Sequence, residues 1–130
     1  MKYNYNKLVR DKIPEEINNM EGRNATFRIM EDEEYSKELN RKLLEECHEF
    51  IEENDSEELA DVMEVIEAIV ELKGIQWDKV RKIQEEKRNK KGAFNEKIYL
   101  EYVEENKRNL REEKELNKSW RNKRWLNWKS

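Results

Sequence analysis

Two pairs of acidic residues are placed where the apolar pattern of the chain would bury them. Glu46 and Glu49 are three residues apart, and so are Glu58 and Asp61. Residues three apart are neighbours on a helix surface. With about 100° of rotation per residue, Glu58 and Asp61 fall among the apolar residues of their segment. Glu46 falls at the edge of the preceding apolar stripe and Glu49 just beyond it, so packing of the two segments would bring all four acids together.

A group of carboxylates on a buried face has a simple chemical explanation. An unpaired buried carboxylate is costly, and several together repel one another. A divalent cation removes both penalties. Mg²⁺ takes oxygen ligands, keeps some of its water and commonly bridges carboxylates to the phosphates of a substrate. The spacing therefore predicts a Mg²⁺ site, which Mn²⁺ could also fill.

A structural role for these acids is the alternative interpretation. Residues 55–58, Asp-Ser-Glu-Glu, are typical of a helix start in which Glu58 completes a capping box. Glu46 and Glu49 could be solvated, as most glutamates are in a chain of which 45% is charged. Asp61 fits this interpretation least well, because it lies past the cap and between apolar neighbours.

The elements that would position the acids are two amphipathic helices. Apolar residues recur at spacings of three and four from Leu39 to Ile51, which is typical of a helix with one buried face. Residues 54–56 interrupt the pattern, and a second helix is predicted over 56–73, before Gly74. This second helix is apolar over more than half of its circumference. One partner helix cannot cover that surface.

Weaker patterns flank the predicted hairpin. A short helix is expected to start near Pro14. Residues 25–30 alternate weakly and could form a short extended segment, and the pattern over 77–91 predicts a more polar helix. Residues 98–103 suggest a further docked segment. Two amphipathic helices make half of a four-helix bundle. We therefore predict an all-α fold of the helical-hairpin, four-helix-bundle type that is completed by a homodimer with twofold symmetry.

The composition narrows the class of protein. A length of 130 residues suits one compact domain. Cys47 is the single cysteine, so a disulfide framework is excluded. With three glycines, a glycine-rich phosphate-binding loop is not expected. The sequence shows neither a signal peptide nor an apolar run of membrane-spanning length, so we expect a soluble cytoplasmic protein with no membrane partner.

The charge is distributed unevenly along the chain. Residues 106–130 carry nine Lys or Arg and three Glu, whereas residues 1–105 carry 18 basic and 28 acidic side chains. The net charges are therefore +6 for this basic tail and −10 for the body. The tail also contains Trp120, Trp125 and Trp128. This contrast predicts a first domain at 1–105 and a C-terminal extension at 106–130.

The acidic constellation resembles the signature of a known family. Glu45-Glu46-x-x-Glu49 followed by Glu58-x-x-Asp61 resembles the EExxE…ExxD pattern of the MazG-like, all-α nucleoside triphosphate pyrophosphohydrolases. A small phosphoribosyl-ATP pyrophosphohydrolase-like subgroup is similar over further stretches. These are KLVRDKIPE at 7–15, KLLEE at 42–46, EELADVMEVI at 57–66 and KGAFNEKIYLEYV at 91–103. The resemblance covers about residues 3–105.

The resemblance implies a metal-dependent enzyme that cleaves a nucleoside triphosphate between its α and β phosphates, in a nucleotide-pool cleaning role. By motif position, Mg²⁺ would be bound by Glu46, Glu49, Glu58 and Asp61. Glu45 would be a further ligand or would orient the attacking water, so Glu45, Glu46 and Glu49 are the predicted catalytic residues. The chain departs from the subgroup at three places. These are an acid position occupied by His48, a glycine position occupied by Ala93, and the basic tail, for which we find no counterpart.

Cations that face the triphosphate must come from side chains. The predicted phosphate-binding residues are Lys7, Arg10, Lys12, Lys87 and Lys91. Two alternatives stay open: Arg10 could form an ion pair with Asp11, and the two lysines of 77–91 could belong to a solvated face. His48 is interpreted as a partly exposed neighbour of the acids and not as a ligand, since hard cations prefer oxygen.

The basic tail motivates a second hypothesis about function. Tryptophan beside Arg and Lys is suited to stacking on the bases of single-stranded nucleic acid. The chain could therefore be a nucleic-acid-binding or regulatory protein built on a MazG-like scaffold. Docking of the tail on the acidic body, within one subunit or between subunits, is the competing interpretation, and insertion into an anionic membrane surface is disfavoured by the poor helical pattern.

Overall fold

The computed structural model describes residues 1–106, and this part of the chain is helical with no strand. The helices are α1 (Ile13–Asn18), α2 (Asp32–Glu53), α3 (Ser56–Lys73) and α4 (Trp77–Lys91). The all-α prediction is confirmed for these residues, and the segment 25–30 forms no strand. Residues 107–130, which hold most of the basic tail and its tryptophans, lie outside the described part.

Helices α2 and α3 form a hairpin with a two-residue connection, and they are the principal packed pair among the described elements. Asn54 ends α2 in the left-handed conformation, with φ 55° and ψ 35°, and its N–H donates to the Phe50 carbonyl. Asn tolerates this conformation better than most residues. Asp55 then caps α3, because its carboxylate accepts a hydrogen bond of 2.9 Å from the Glu58 N–H. The chain reversal is thus encoded by two adjacent residues.

The core of the hairpin is small. Its buried apolar residues are Leu39 from α2 and Val62, Val65 and Val70 from α3. Leu39 is the most enclosed, with 2% of its surface exposed. Helix α3 ends at Gly74, whose φ of 64° favours glycine and whose N–H donates to the carbonyls of the last turn. This cap fixes the end of the apolar helix opposite the turn.

The remaining described segments contribute little buried surface. Neither α1 nor α4 contains a buried residue. By backbone packing the chain divides into units of residues Met1–Gly92 and Ala93–Ser130. The described residues of the second unit are not helical and their large apolar side chains are exposed. Within residues 1–106, no helix is long and apolar enough to span a bilayer.

Candidate metal centre

The hairpin brings three of the four predicted metal ligands together. Glu46 of α2 and Glu58 and Asp61 of α3 each present one carboxylate oxygen, and these three oxygens all lie within 4.8 Å of one another. We call these three residues the acidic cluster. The convergence follows from the short turn, because a tight connection brings the last turns of one helix beside the first turns of the next in an antiparallel helix pair.

Two oxygens of the acidic cluster are buried without a partner. Glu46 has 7% of its surface exposed, and its Oε1 lies 3.2 Å from Nζ of Lys42. Its other oxygen, Oε2, accepts no hydrogen bond, and neither does Oε2 of Glu58. A buried acceptor without a partner loses its hydrogen bonds to water and gains none from the protein, which costs free energy. Three converging carboxylates that include two such oxygens form a donor set that suits Mg²⁺ or Mn²⁺.

Glu49 belongs to the same electrostatic environment. Its pKa is raised above the ordinary value, chiefly by the negative charge of Glu46, then by partial burial, by a hydrogen bond with Glu46 and by the charge of Glu45, whereas Lys42 opposes the shift. The pKa of Glu58 is also raised, first by partial burial and then by the surrounding carboxylates. Both shifts report negative charge that the neighbouring cations only partly compensate. A bound divalent cation would remove this repulsion.

Basic side chains from two directions contact the acids. Arg10 donates from Nη2 to Oδ1 of Asp61 over 2.7 Å. Lys7 approaches Glu45 with an Nζ–Oε1 distance of 4.0 Å, and Lys42 lies 3.7 Å from the same oxygen. Arg10 therefore pairs with Asp61 and not with Asp11, the partner considered from sequence. Two of the five predicted phosphate-binding residues thus lie beside the predicted metal ligands.

Lys42 is a neighbour of the acidic cluster that the sequence motifs did not single out. It is placed four residues before Glu46 on α2 and its side chain is 21% exposed. A Lys and a Glu separated by four residues on one helix are expected to pair, so the signal was present in the sequence. Without the burial of Glu46, however, the pair could not be distinguished from an ordinary surface ion pair.

The other candidate residues are exposed. Lys12 is exposed beside the start of α1, and Lys87 and Lys91 are exposed on α4. Within residues 1–106, no ion pair joins Lys12 or Lys87 to the acidic cluster, and their role at phosphate stays a prediction. His48 is 72% exposed on its side chain and lies 3.1 Å from Glu52. That position agrees with its interpretation as a neighbour of the site.

The helix-start interpretation accounts for only part of the acidic stretch. Asp55 does cap α3, as the sequence suggested. One oxygen of the Glu58 carboxylate is buried without a hydrogen-bond partner. The carboxylate also contributes an oxygen to the acidic cluster. Glu58 thus lies in the first turn of α3 and also joins the acidic cluster, so the two interpretations are compatible.

Comparison with known proteins adds no relative. No protein-family model, no curated protein and no solved structure matches the chain. The likeness to the MazG-like enzymes therefore rests on the sequence motifs quoted above.

Proposed function

We propose that the chain is a Mg²⁺-dependent nucleoside triphosphate pyrophosphohydrolase that yields a nucleoside monophosphate and pyrophosphate. The observation that carries this proposal is the convergence of Glu46, Glu58 and Asp61, with carboxylate oxygens within 4.8 Å of one another. The resemblance of the surrounding motifs to MazG-like enzymes supplies the reaction class and the nucleotide-pool cleaning role. The chemistry of the acids supplies the choice of metal.

Four residues would hold the metal in this proposal: Glu46, Glu49, Glu58 and Asp61. When bound, Mg²⁺ lowers the pKa of coordinated water and stabilises negative charge on phosphoryl oxygens. Lys42 holds one oxygen of Glu46, so that the other is left for the cation.

The remaining side chains would position the reactants. Glu45 lies next to the metal ligands and pairs with lysines. Its carboxylate would orient the attacking water and accept its proton. Lys7 and Arg10 would hold the triphosphate, since a guanidinium and an ammonium both bind phosphate oxygens strongly. Hydrolysis at the α phosphorus otherwise depends mainly on positioning.

A second copy of the chain would complete the MazG-like scaffold. Large apolar side chains remain exposed on the hairpin: Leu44 and Ile51 on α2, and Leu59 and Met63 on α3. Leu44 and Ile51 are seven residues apart and share one helix face. Burial of such side chains in a twofold dimer would stabilise a fold whose own core is small.

A product analysis tests the proposal. The full chain is incubated with Mg²⁺ and a panel of ribonucleoside and deoxyribonucleoside triphosphates together with phosphoribosyl-ATP, and the products are separated. We expect nucleoside monophosphate and pyrophosphate in equal amounts, with no activity in the presence of a chelator. Glu64→Gln is the matched control for Asp61→Asn, because Glu64 is exposed on the same helix. Release of orthophosphate, or activity in Asp61→Asn equal to that of the control, would contradict the assignment.

A further inference from the structure

The guanidinium of Arg10 joins two parts of the chain that are remote in sequence. Its Nη2 donates to Oδ1 of Asp61, 51 residues away, over 2.7 Å. Arg10 precedes α1 on a segment, residues 1–12, that forms no helix. Asp61 lies on α3 in the acidic cluster. The same carboxylate therefore has an internal cation as its partner and is also a ligand in the proposed metal centre.

A metal ion and Arg10 place conflicting demands on Asp61. A divalent cation bound among Glu46, Glu58 and Asp61 would lie close to the guanidinium, and the two positive charges would repel. Coordination would also withdraw negative charge from the carboxylate and weaken its hydrogen bond to Arg10. Binding of the metal thus favours release of the arginine.

The two cations at the site differ in their freedom to move. Lys42 is fixed to α2, bonds Glu46 within the same helix and is 21% exposed. The side chain of Arg10 is 57% exposed and extends from an irregular segment. A long exposed side chain can change rotamer without disturbing a core. Lys42 can therefore remain in place on metal binding, whereas Arg10 can leave.

We infer that Arg10 is an exchangeable counter-ion: it occupies Asp61 in the metal-free protein, competes with the divalent cation for that carboxylate, and transfers to the phosphate oxygens of the metal-bound substrate. The inference rests on the proposed function, because it takes the substrate to be a metal-bound triphosphate. Arginine can bond phosphate through two parallel N–H groups. The exchange keeps the guanidinium paired with an anion in both states and makes arginine transfer depend on prior metal loading.

Direct measurement of metal binding tests the competition without catalysis. Mn²⁺ is titrated into the full-length, nucleotide-free protein, and free Mn²⁺ is followed by electron paramagnetic resonance. Arg10→Ala should bind Mn²⁺ about two- to fivefold more tightly than the parent chain, since an exposed ion pair no longer has to be broken. Arg10→Lys should lie between the two. Unchanged or weaker binding by Arg10→Ala would overturn the inference and make Arg10 an orienting partner of Asp61.

Arg28→Ala is the matched control. Arg28 also forms a close pair with a carboxylate, that of Glu34, with Nη–Oε distances of 2.6 and 2.7 Å. That pair does not involve the acidic cluster, so its loss should leave Mn²⁺ affinity unchanged. Circular dichroism of both variants verifies that the helices are intact.

Steady-state kinetics tests the transfer to phosphate. Arg10→Ala should raise KM for the Mg²⁺-bound triphosphate by about tenfold or more, as expected for the loss of a charged hydrogen bond, with a smaller change in kcat. An unchanged KM would overturn the transfer. Failure of the proposed function is distinguishable from this result. If the parent chain binds Mn²⁺ but releases no pyrophosphate, the function fails while tighter Mn²⁺ binding by Arg10→Ala still supports the exchange. If neither protein binds Mn²⁺, both proposals are overturned.

Discussion

Asp61→Asn should change the stability of the protein in opposite directions with and without Mg²⁺. The carboxylate oxygens of Asp61 and Glu46 lie within 4.8 Å of each other. Two unit charges at that distance repel by about 3.5 kcal/mol when the effective dielectric constant is about 20. Solvent reduces this value strongly, because the Asp61 side chain is 35% exposed, and Lys42 offsets part of the charge of Glu46. We take about 1 to 1.5 kcal/mol as the repulsion that remains.

The substitution also removes the ion pair with Arg10. Because both side chains of this pair are substantially exposed, its loss costs about 0.5 kcal/mol. The net gain for metal-free Asp61→Asn is therefore about 0.5 to 1 kcal/mol, which corresponds to a rise in Tm of about 2 to 6 °C. Saturation of the parent chain at about 100 times the Mg²⁺ Kd stabilises it by about 2.7 kcal/mol. Excess Mg²⁺ should thus make the parent chain the more stable of the two.

Differential scanning calorimetry with EDTA and with excess Mg²⁺ checks this reversal. Glu64→Gln, which removes an exposed acid from the same helix, should follow the parent chain in both conditions. Equal Mg²⁺ stabilisation of Asp61→Asn and the parent chain would refute the assignment of Asp61 as a ligand. A lower Tm for Asp61→Asn in EDTA would refute the argument that repulsion within the acidic cluster outweighs the pair with Arg10.

Four other perturbations probe the charge, the core, the exposed apolar surface and the C-terminal tail. Glu49→Gln should stabilise the metal-free protein more at pH 7 than at pH 4.5 in urea titrations. The raised pKa of Glu49 in the native state means that its ionised form destabilises the fold at pH 7. This penalty decreases as the pH falls, because the native state binds a proton at a higher pH than the unfolded state does. Leu39→Ala should lower the free energy of unfolding by about 2.7 to 5 kcal/mol, as expected for a side chain that is 2% exposed. Leu44→Arg places a charge on the exposed apolar face of α2, so it should convert the proposed dimer to a monomer in light scattering with the helices retained. Truncation after Glu105 should leave pyrophosphate release within a few-fold of the full chain, because no proposed ligand is removed, and a larger loss would contradict this expectation. Salt-sensitive retention of the full chain on single-stranded DNA would favour the role of the tail in nucleic-acid binding.

Local signals in the sequence were sufficient for the hairpin. Asp55 as a cap and Gly74 as a stop define α3 over the residues that the pattern predicted. The spacing of the acids also sufficed to bring Glu46, Glu58 and Asp61 together once a short turn was assumed. These features depend on residues that are close in the chain, and the helical period relates such residues directly.

Contacts between segments that are distant in the chain could not be predicted from the sequence in the same way. The pairing of Arg10 with Asp61 depends on how residues 1–12 lie against α3, and no periodicity encodes that arrangement. Leu59 was placed within the buried sector of α3, yet it is 45% exposed because α2 covers only part of that helix. Glu46 was placed at the edge of its stripe and is nearly fully buried. Burial depends on which neighbours are present, and a single helix pattern does not specify them.

The short turn between α2 and α3 also affects how the protein folds. All four proposed metal ligands fall within residues 46–61, so only a brief loop must close to bring them together. Loop closure of this kind costs little chain entropy, and local contacts of this kind are associated with rapid folding. The repulsion among the acids then arises early in folding, when the hairpin forms. A counter-charge must offset it before the distant segment that carries Arg10 has docked. Lys42 lies on α2 itself and pairs with Glu46 within that helix, so it would supply a counter-charge during formation of the hairpin as well as in the folded site.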